Sequence, residues 1–200
     1  MKTQKLTDAT TDAVLATARR ILVEEGRSGA SMSAMAKAAG VSRQTLYLAF
    51  GGRAGLLRAL CDRAAEESEN ARLMAQLAAA PDGRPRGLIQ FAWAWLSHLA
   101  EIYPIAIELS TAARTDRQAA GTLAASTLGA VHGQFLAILS AIAAKGLLRD
   151  GIPPERAADI AWSLTSPESW RELVVDRGWS AKAFATDRVE TIRLRLLREE

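Results

Sequence analysis

Arg43, Gln44, Thr45 and Tyr47 crowd four hydrogen-bonding side chains into the second half of SMSAMAKAAGVSRQTLYLAF, residues 31–50. An arginine can set two N–H donors against N7 and O6 of guanine, and a glutamine can pair with N6 and N7 of adenine. Ser33, Thr45, Tyr47 and Arg53 carry donors suited to phosphate oxygens, contacts that set register without reading bases. Lys37 reads first as a solvated surface lysine.

Other chemistry finds little support. The chain holds two histidines, His98 and His132, and one cysteine, Cys61. Neither histidine stands at metal-binding spacing with another ligand, and GxSxG, a Gly-rich phosphate loop and HExxH are absent. No catalytic residue, no metal ligand and no cofactor is expected, and the chain does not read as an enzyme. Cys61 has no partner for an intrachain disulfide and reads as a small apolar core residue.

The reading side chains need elements that present them. Ser31 and Ser42 stand where an N-cap hydroxyl accepts an otherwise unpaired backbone N–H. Gly40 falls where a tight turn between two short helices needs φ > 0. Met35, Ala36, Ala39, Val41, Leu46 and Ala49 occupy the internal positions of a helix-turn-helix. The second helix then presents Arg43, Gln44, Thr45, Tyr47 and Leu48 near the end that enters a major groove in this motif.

At 200 residues, 49% hydrophobic and 24% charged, the composition is that of a globular protein with a sizeable core. Net charge is +3. Residues 1–55 hold eight basic side chains (Lys2, Lys5, Arg19, Arg20, Arg27, Lys37, Arg43, Arg53) against four acidic ones, a balance of +4. The remaining 17 basic and 18 acidic residues balance at −1, so positive charge gathers with the helix-turn-helix, as phosphate attraction requires. The polar N-terminus lacks a secretory signal, and no apolar run is expected to reach the ~18 residues that cross a membrane. A cytoplasmic protein without a membrane partner is the expectation.

Taken in order, Asp8 to Glu25 reads as a helix with an apolar stripe of Val14, Leu15, Ala18, Ile21 and Leu22, ended by Gly26 and Gly29. Gly51-Gly52 breaks the second helix of the helix-turn-helix, and a long helix is expected from Arg53 to about Asn70 or beyond. Residues 79–88 read as a loop, and Leu88 to Tyr103 as a helix apolar nearly all round and therefore buried. Pro104 should kink or end it. A further helix is expected from Ala119 to Lys145, then helices over about Pro154–Leu164, Glu168–Asp176 and Ala181–Leu197. The fold class is all-α, with about nine helices.

The run GRSGASMSAMAKAAGVSRQTLYLAFGGRAGLLRAL, most of all GVS, TLY and Phe50, resembles the DNA-binding domain of the TetR family of one-component bacterial repressors. The stretches AARTD and KGLLRDGIPPERAADIAWSLTSPESWRELVVDRGWS resemble the C-terminal domain of a broad TetR subgroup. The resemblance implies an N-terminal three-helix DNA-binding domain over 1–52 and a helical effector-binding and dimerisation domain over 53–200. It implies a DNA-binding set of Ser33, Ser42, Arg43, Gln44, Thr45, Tyr47 and Arg53, with the Tyr47 hydroxyl and Arg53 on the DNA backbone. It also implies a homodimer through the last two helices, about 154–197. The chain departs from the family pattern at Ala54-Gly55, where an acidic residue usually follows the basic one, and at Ala49. Gly55 weakens a helix start, because glycine is a poor helix former.

One recognition helix touches too few bases for a unique site, so a two-fold dimer on a palindromic double-stranded operator is expected. Phe91, Trp95, His98, Tyr103, Phe135 and Trp162 are candidate effector-pocket residues, with Glu108 and His132 as further polar handles, for an unidentified small lipophilic molecule. Ligand would favour a state in which the helix after Arg53 swings and DNA is released. The competing reading is a helical interaction protein with a vestigial helix-turn-helix, favoured only by the Gly51–Gly55 departure. Repression and activation are both open, since operator position decides between them.

Overall fold

The computed structural model describes residues 7–26 and 30–198; Lys2, Lys5, Arg27 and Gly29, used above, lie outside the described residues. Among the described residues the regular structure is helical, with a single isolated antiparallel bridge between Leu148 and Leu197. In chain order the helices are α1 (Asp8–Arg19, continuing as a π turn, Arg20–Glu24), α2 (Met32–Ala38), α3 (Arg43–Phe50) and α4 (Arg53–Glu67). Then come α5 (Glu69–Ala79), α6 (Pro85–Ala113), α7 (Arg117–Ala124) and α8 (Thr127–Ala144). Last are α9 (Pro154–Thr165), α10 (Pro167–Trp170, continuing as a π turn, Arg171–Val175) and α11 (Ala181–Leu196). The chain divides into two compact units, Met1–Ala64 with Ile102–Leu128, and Ala65–Glu101 with Gly129–Glu200.

In the first unit the expected stripe of α1 is buried, and Met32, Met35, Ala36 and Leu46 from α2 and α3 pack into the same core. That core does not close with three helices. Leu56, Leu57, Leu60 and Cys61 of α4 join it, as do Ile105 and Leu109 of α6. Ala49, expected inside, is exposed; Phe50 packs against the core instead, because it lies about 40° around the helix from Leu46.

In the second unit α6 and α8 meet through Phe91 and Phe135, edge to face at 4.7 Å. Trp95 stacks on Trp162 of α9 at 6.2 Å, and its indole N–H donates to the buried Thr165 carbonyl at 3.0 Å. Phe184 of α11 meets Trp170 at 5.2 Å. The chain returns alongside α11 where Arg149 N–H donates to Leu196 C=O at 2.8 Å and Arg198 N–H to Leu147 C=O at 3.1 Å.

Several expectations about helices are corrected. The helix from Arg53 stops at Glu67, because Ser68 turns extended and its hydroxyl accepts the Ala71 N–H to start α5. The helix expected from Ala119 is broken at Ala125-Ser126, and the Asp62 carboxylate, from α4, accepts the Thr127 N–H at 3.1 Å to begin α8. Of the two outcomes open at Pro104, ending the helix is the one excluded, since α6 runs through it to Ala113. Trp93 and Ala100 on the helix expected to be buried all round are exposed. Thr127–Ala144 reaches 18 residues at a mean hydropathy of 1.5, so among the described residues one helix is long and apolar enough to cross a membrane, contrary to expectation. Its apolarity has a core explanation, since Val131, Phe135, Ile138, Leu139 and Ile142 are all buried.

Candidate nucleic-acid interface

α2 and α3 are built by their caps. Ser31 adopts an extended backbone and its hydroxyl accepts the Ala34 N–H at 3.2 Å. Ser42 does the same for Thr45 N–H at 3.0 Å, and the two hydroxyls of Ser42 and Thr45 lie 2.7 Å apart. Gly40, at φ 68°, turns the chain between the helices. These local bonds satisfy helix-end donors that neither core nor ladder could reach.

With Leu46 fully buried, the opposite surface of α3 faces outward. Ser33 on α2 and Ser42, Arg43 and Gln44 are exposed, Thr45 is half-buried, and Tyr47 is 43% exposed. The Arg43 guanidinium rests over the Tyr47 ring at 5.3 Å, a cation–π contact between residues one helical turn apart. Six of the seven predicted DNA-binding residues therefore lie on α2, α3 or the cap between them. Lys37 is exposed, as expected of a solvated lysine.

Arg53 is placed differently from a free surface cation. From the first residue of α4 its guanidinium donates to the Ala30 carbonyl and pairs with the Glu108 carboxylate of α6. Glu108, a candidate polar handle for an effector, thus braces the start of α4. Two of the five guanidinium donors are used, and the side chain remains partly exposed. The brace joins residues 23 and 55 positions from Arg53, a separation no local sequence signal reports.

The turn between α3 and α4 explains the departure at Gly55. Gly51 and Gly52 take φ of 71° and 125°, both in the region that favours glycine. Gly55 lies inside α4 with an ordinary φ, yet a Cβ there would sit 1.8 Å from the Phe50 carbonyl oxygen. The glycine is a steric requirement of two helices meeting at a sharp corner, beyond the weak helix start read from the sequence.

The aromatic candidates divide. Phe91, Trp95, His98 and Phe135 are buried and Trp162 is half-buried, all in the second unit, where ring contacts pair Phe91 with Phe135 and Trp95 with Trp162. The His98 ring lies 6.5 Å from that of Trp95. Tyr103 is half-buried and belongs to the first unit. His132, the other candidate handle, sets Nε2 2.9 Å from the Asp159 carboxylate. Cys61 is buried in the first core, and burial, with the nearby Asp62 charge second, pushes its thiol up to about 12. Among the described residues no group of His, Cys, Asp and Glu could hold a metal ion.

Residues 14–60 match the family described as bacterial regulatory proteins, tetR family. No curated protein matches the chain by sequence. Solved structures match it across nearly its whole length. A TetR-family transcriptional regulator from Rhodococcus sp. is similar at a TM-score of 0.72 and 19% identity, covering 94% of this chain and 98% of that one. A transcriptional regulator from Saccharomonospora viridis in complex with choline is similar at 0.73 and 16%, covering 96% and 100%. SmeT, the repressor of the Stenotrophomonas maltophilia multidrug efflux pump SmeDEF, is similar at 0.65 and 15%, covering 98% and 93%, and has also been solved with triclosan. Residues 14–60 therefore match the tetR family of bacterial regulatory proteins, and the chain has the fold of solved TetR-family transcriptional regulators.

Proposed function

We propose that the chain is a sequence-specific DNA-binding repressor that binds a palindromic operator as a homodimer and leaves it when a small lipophilic effector binds. The observation that carries this reading is the outward surface of α3, where Arg43, Gln44 and Tyr47 are exposed around a helix anchored by Leu46. Arg43 and Gln44 read base edges; Ser33, Ser42, Thr45 and Tyr47 hold phosphates and set register. Arg53 adds a phosphate contact through donors not spent on Ala30 and Glu108. Residues 1–52 form the DNA-binding domain, and 53–200 supply effector binding and dimerisation.

The dimer seats on the segment 154–197, which leaves Val175, Trp179 and Leu194 exposed. The effector site draws on Phe91, Trp95, His98, Phe135 and Trp162 of the second unit; the choline and triclosan complexes of similarly folded proteins support a small-molecule ligand. Release follows from differential affinity, since a ligand shifts the DNA-binding equilibrium only by preferring one conformation. The protein works in the cytoplasm, where its operator is.

Fluorescence anisotropy on the DNA flanking the protein's own gene tests the reading. Wild type is expected to bind a palindrome at two subunits per site. The Arg43→Ala, Gln44→Ala double variant should bind about 30-fold more weakly or worse, from two lost base pairings of ~1 kcal/mol or more each. Equal, weak, steeply salt-dependent binding by both proteins would refute base reading by α3.

A further inference from the structure

Leu48 is the most exposed large apolar side chain among the described residues, at 60%. A lone exposed leucine needs no explanation on most surfaces. This one stands on α3, four residues after Gln44 and next to Tyr47, about 200° around the helix from the buried Leu46. It is the one aliphatic side chain larger than alanine on that outward surface. Its neighbours there are hydrogen-bonding groups, on a part of the chain whose charge balance is +4.

Phosphate oxygens and solvent offer such a side chain nothing that a polar one would not match better. The major-groove edge of DNA offers one apolar group, the C5-methyl of thymine, beside the donors and acceptors that arginine and glutamine read. We infer that Leu48 is a specificity-determining residue that reads a thymine methyl adjacent to the bases met by Arg43 and Gln44. The inference rests on the base-reading function proposed above and adds to it an apolar contact that no hydrogen bond can replace.

The test needs an operator and a probe that removes only the methyl. Wild-type protein is used to select duplexes from a random library, and each thymine of the selected site is then replaced in turn by deoxyuridine. Wild type is expected to lose about fourfold in affinity at one thymine per half-site, as the loss of one buried methyl predicts. Leu48→Ala should bind the thymine duplex more weakly and show no difference between thymine and uracil at that position. Because Leu48 is exposed and alanine is a better helix former, the variant should fold as wild type does, which circular dichroism checks. A flat uracil scan with wild type, or a methyl effect that persists in Leu48→Ala, overturns the inference while leaving base reading in place. A selection that enriches no sequence overturns base reading, and the Leu48 contact with it.

Discussion

Replacing Gly55 by alanine separates two accounts of the same residue by the sign of a stability change. If Gly55 is only a poor helix former, alanine should stabilise α4 by ~1 kcal/mol. If the corner between α3 and α4 requires it, the new Cβ meets the Phe50 carbonyl oxygen at 1.8 Å. A backbone oxygen cannot rotate away as a side-chain tip could, so α3 must shift against α4. Overpacking of this kind costs about 3 kcal/mol at the upper end of its usual range. Subtracting the propensity gain leaves a net loss of about 2 kcal/mol. For a chain of this length that lowers Tm by about 4–8 °C, whereas the propensity account raises it by about 2–4 °C. Urea unfolding supplies the free energy, provided the m value is unchanged. The steric account also predicts weaker binding to the proposed operator, because α3 carries Arg43 and Gln44, the side chains proposed to read bases. A Tm equal to or above that of wild type would refute the reasoning.

Two further predictions concern buried groups. Trp95→Phe removes the indole donor from the buried Thr165 carbonyl and should cost about 1–3 kcal/mol in urea unfolding, with a change under ~0.5 kcal/mol showing that the bond does not tie α6 to α9. The Cys61 thiol, raised from 9.0 to about 12, stays protonated in the folded chain while the unfolded chain ionises. Its contribution to stability is therefore fully present below pH 9.0 and is lost as pH rises from there towards about 12. Wild type should lose stability relative to Cys61→Ala over that window, and the native thiol should resist a thiol reagent at pH 8 until denaturant is added; rapid native labelling would contradict the buried placement.

What was legible in the sequence had local causes. Ser31 and Ser42 cap helices through bonds spanning three residues, so the residue types and spacing suffice to locate α2 and α3. The stripe of α1 is set by helical periodicity, and each of its five members is buried. The outward placement of Gln44, about 160° around the helix from Leu46, and of Tyr47, about 100° around it, follows from the same period once Leu46 is assigned inside. Ala49 shows the limit, since a small residue carries too weak an apolar signal to choose between the core side and the surface.

The remainder depended on partners far along the chain. Arg53 looks like any basic residue at a helix start until folding sets Ala30 and Glu108 beside it. Asp62 looks like half of an i, i+4 pair with Arg58, and it also begins α8 by accepting a backbone donor 65 residues away. Gly55 reads as a weakness in one dimension and as a necessity in three, because the atom that excludes a Cβ belongs to the preceding helix. The sequence by itself determined the stripe of α1, the caps of α2 and α3 and the outward placement of Gln44 and Tyr47, all properties of bonds and periods within a few residues. Only the tertiary structure decided how α4 and α6 complete the core beneath that surface, because burial, charge pairing and steric exclusion act between atoms that the chain order keeps apart.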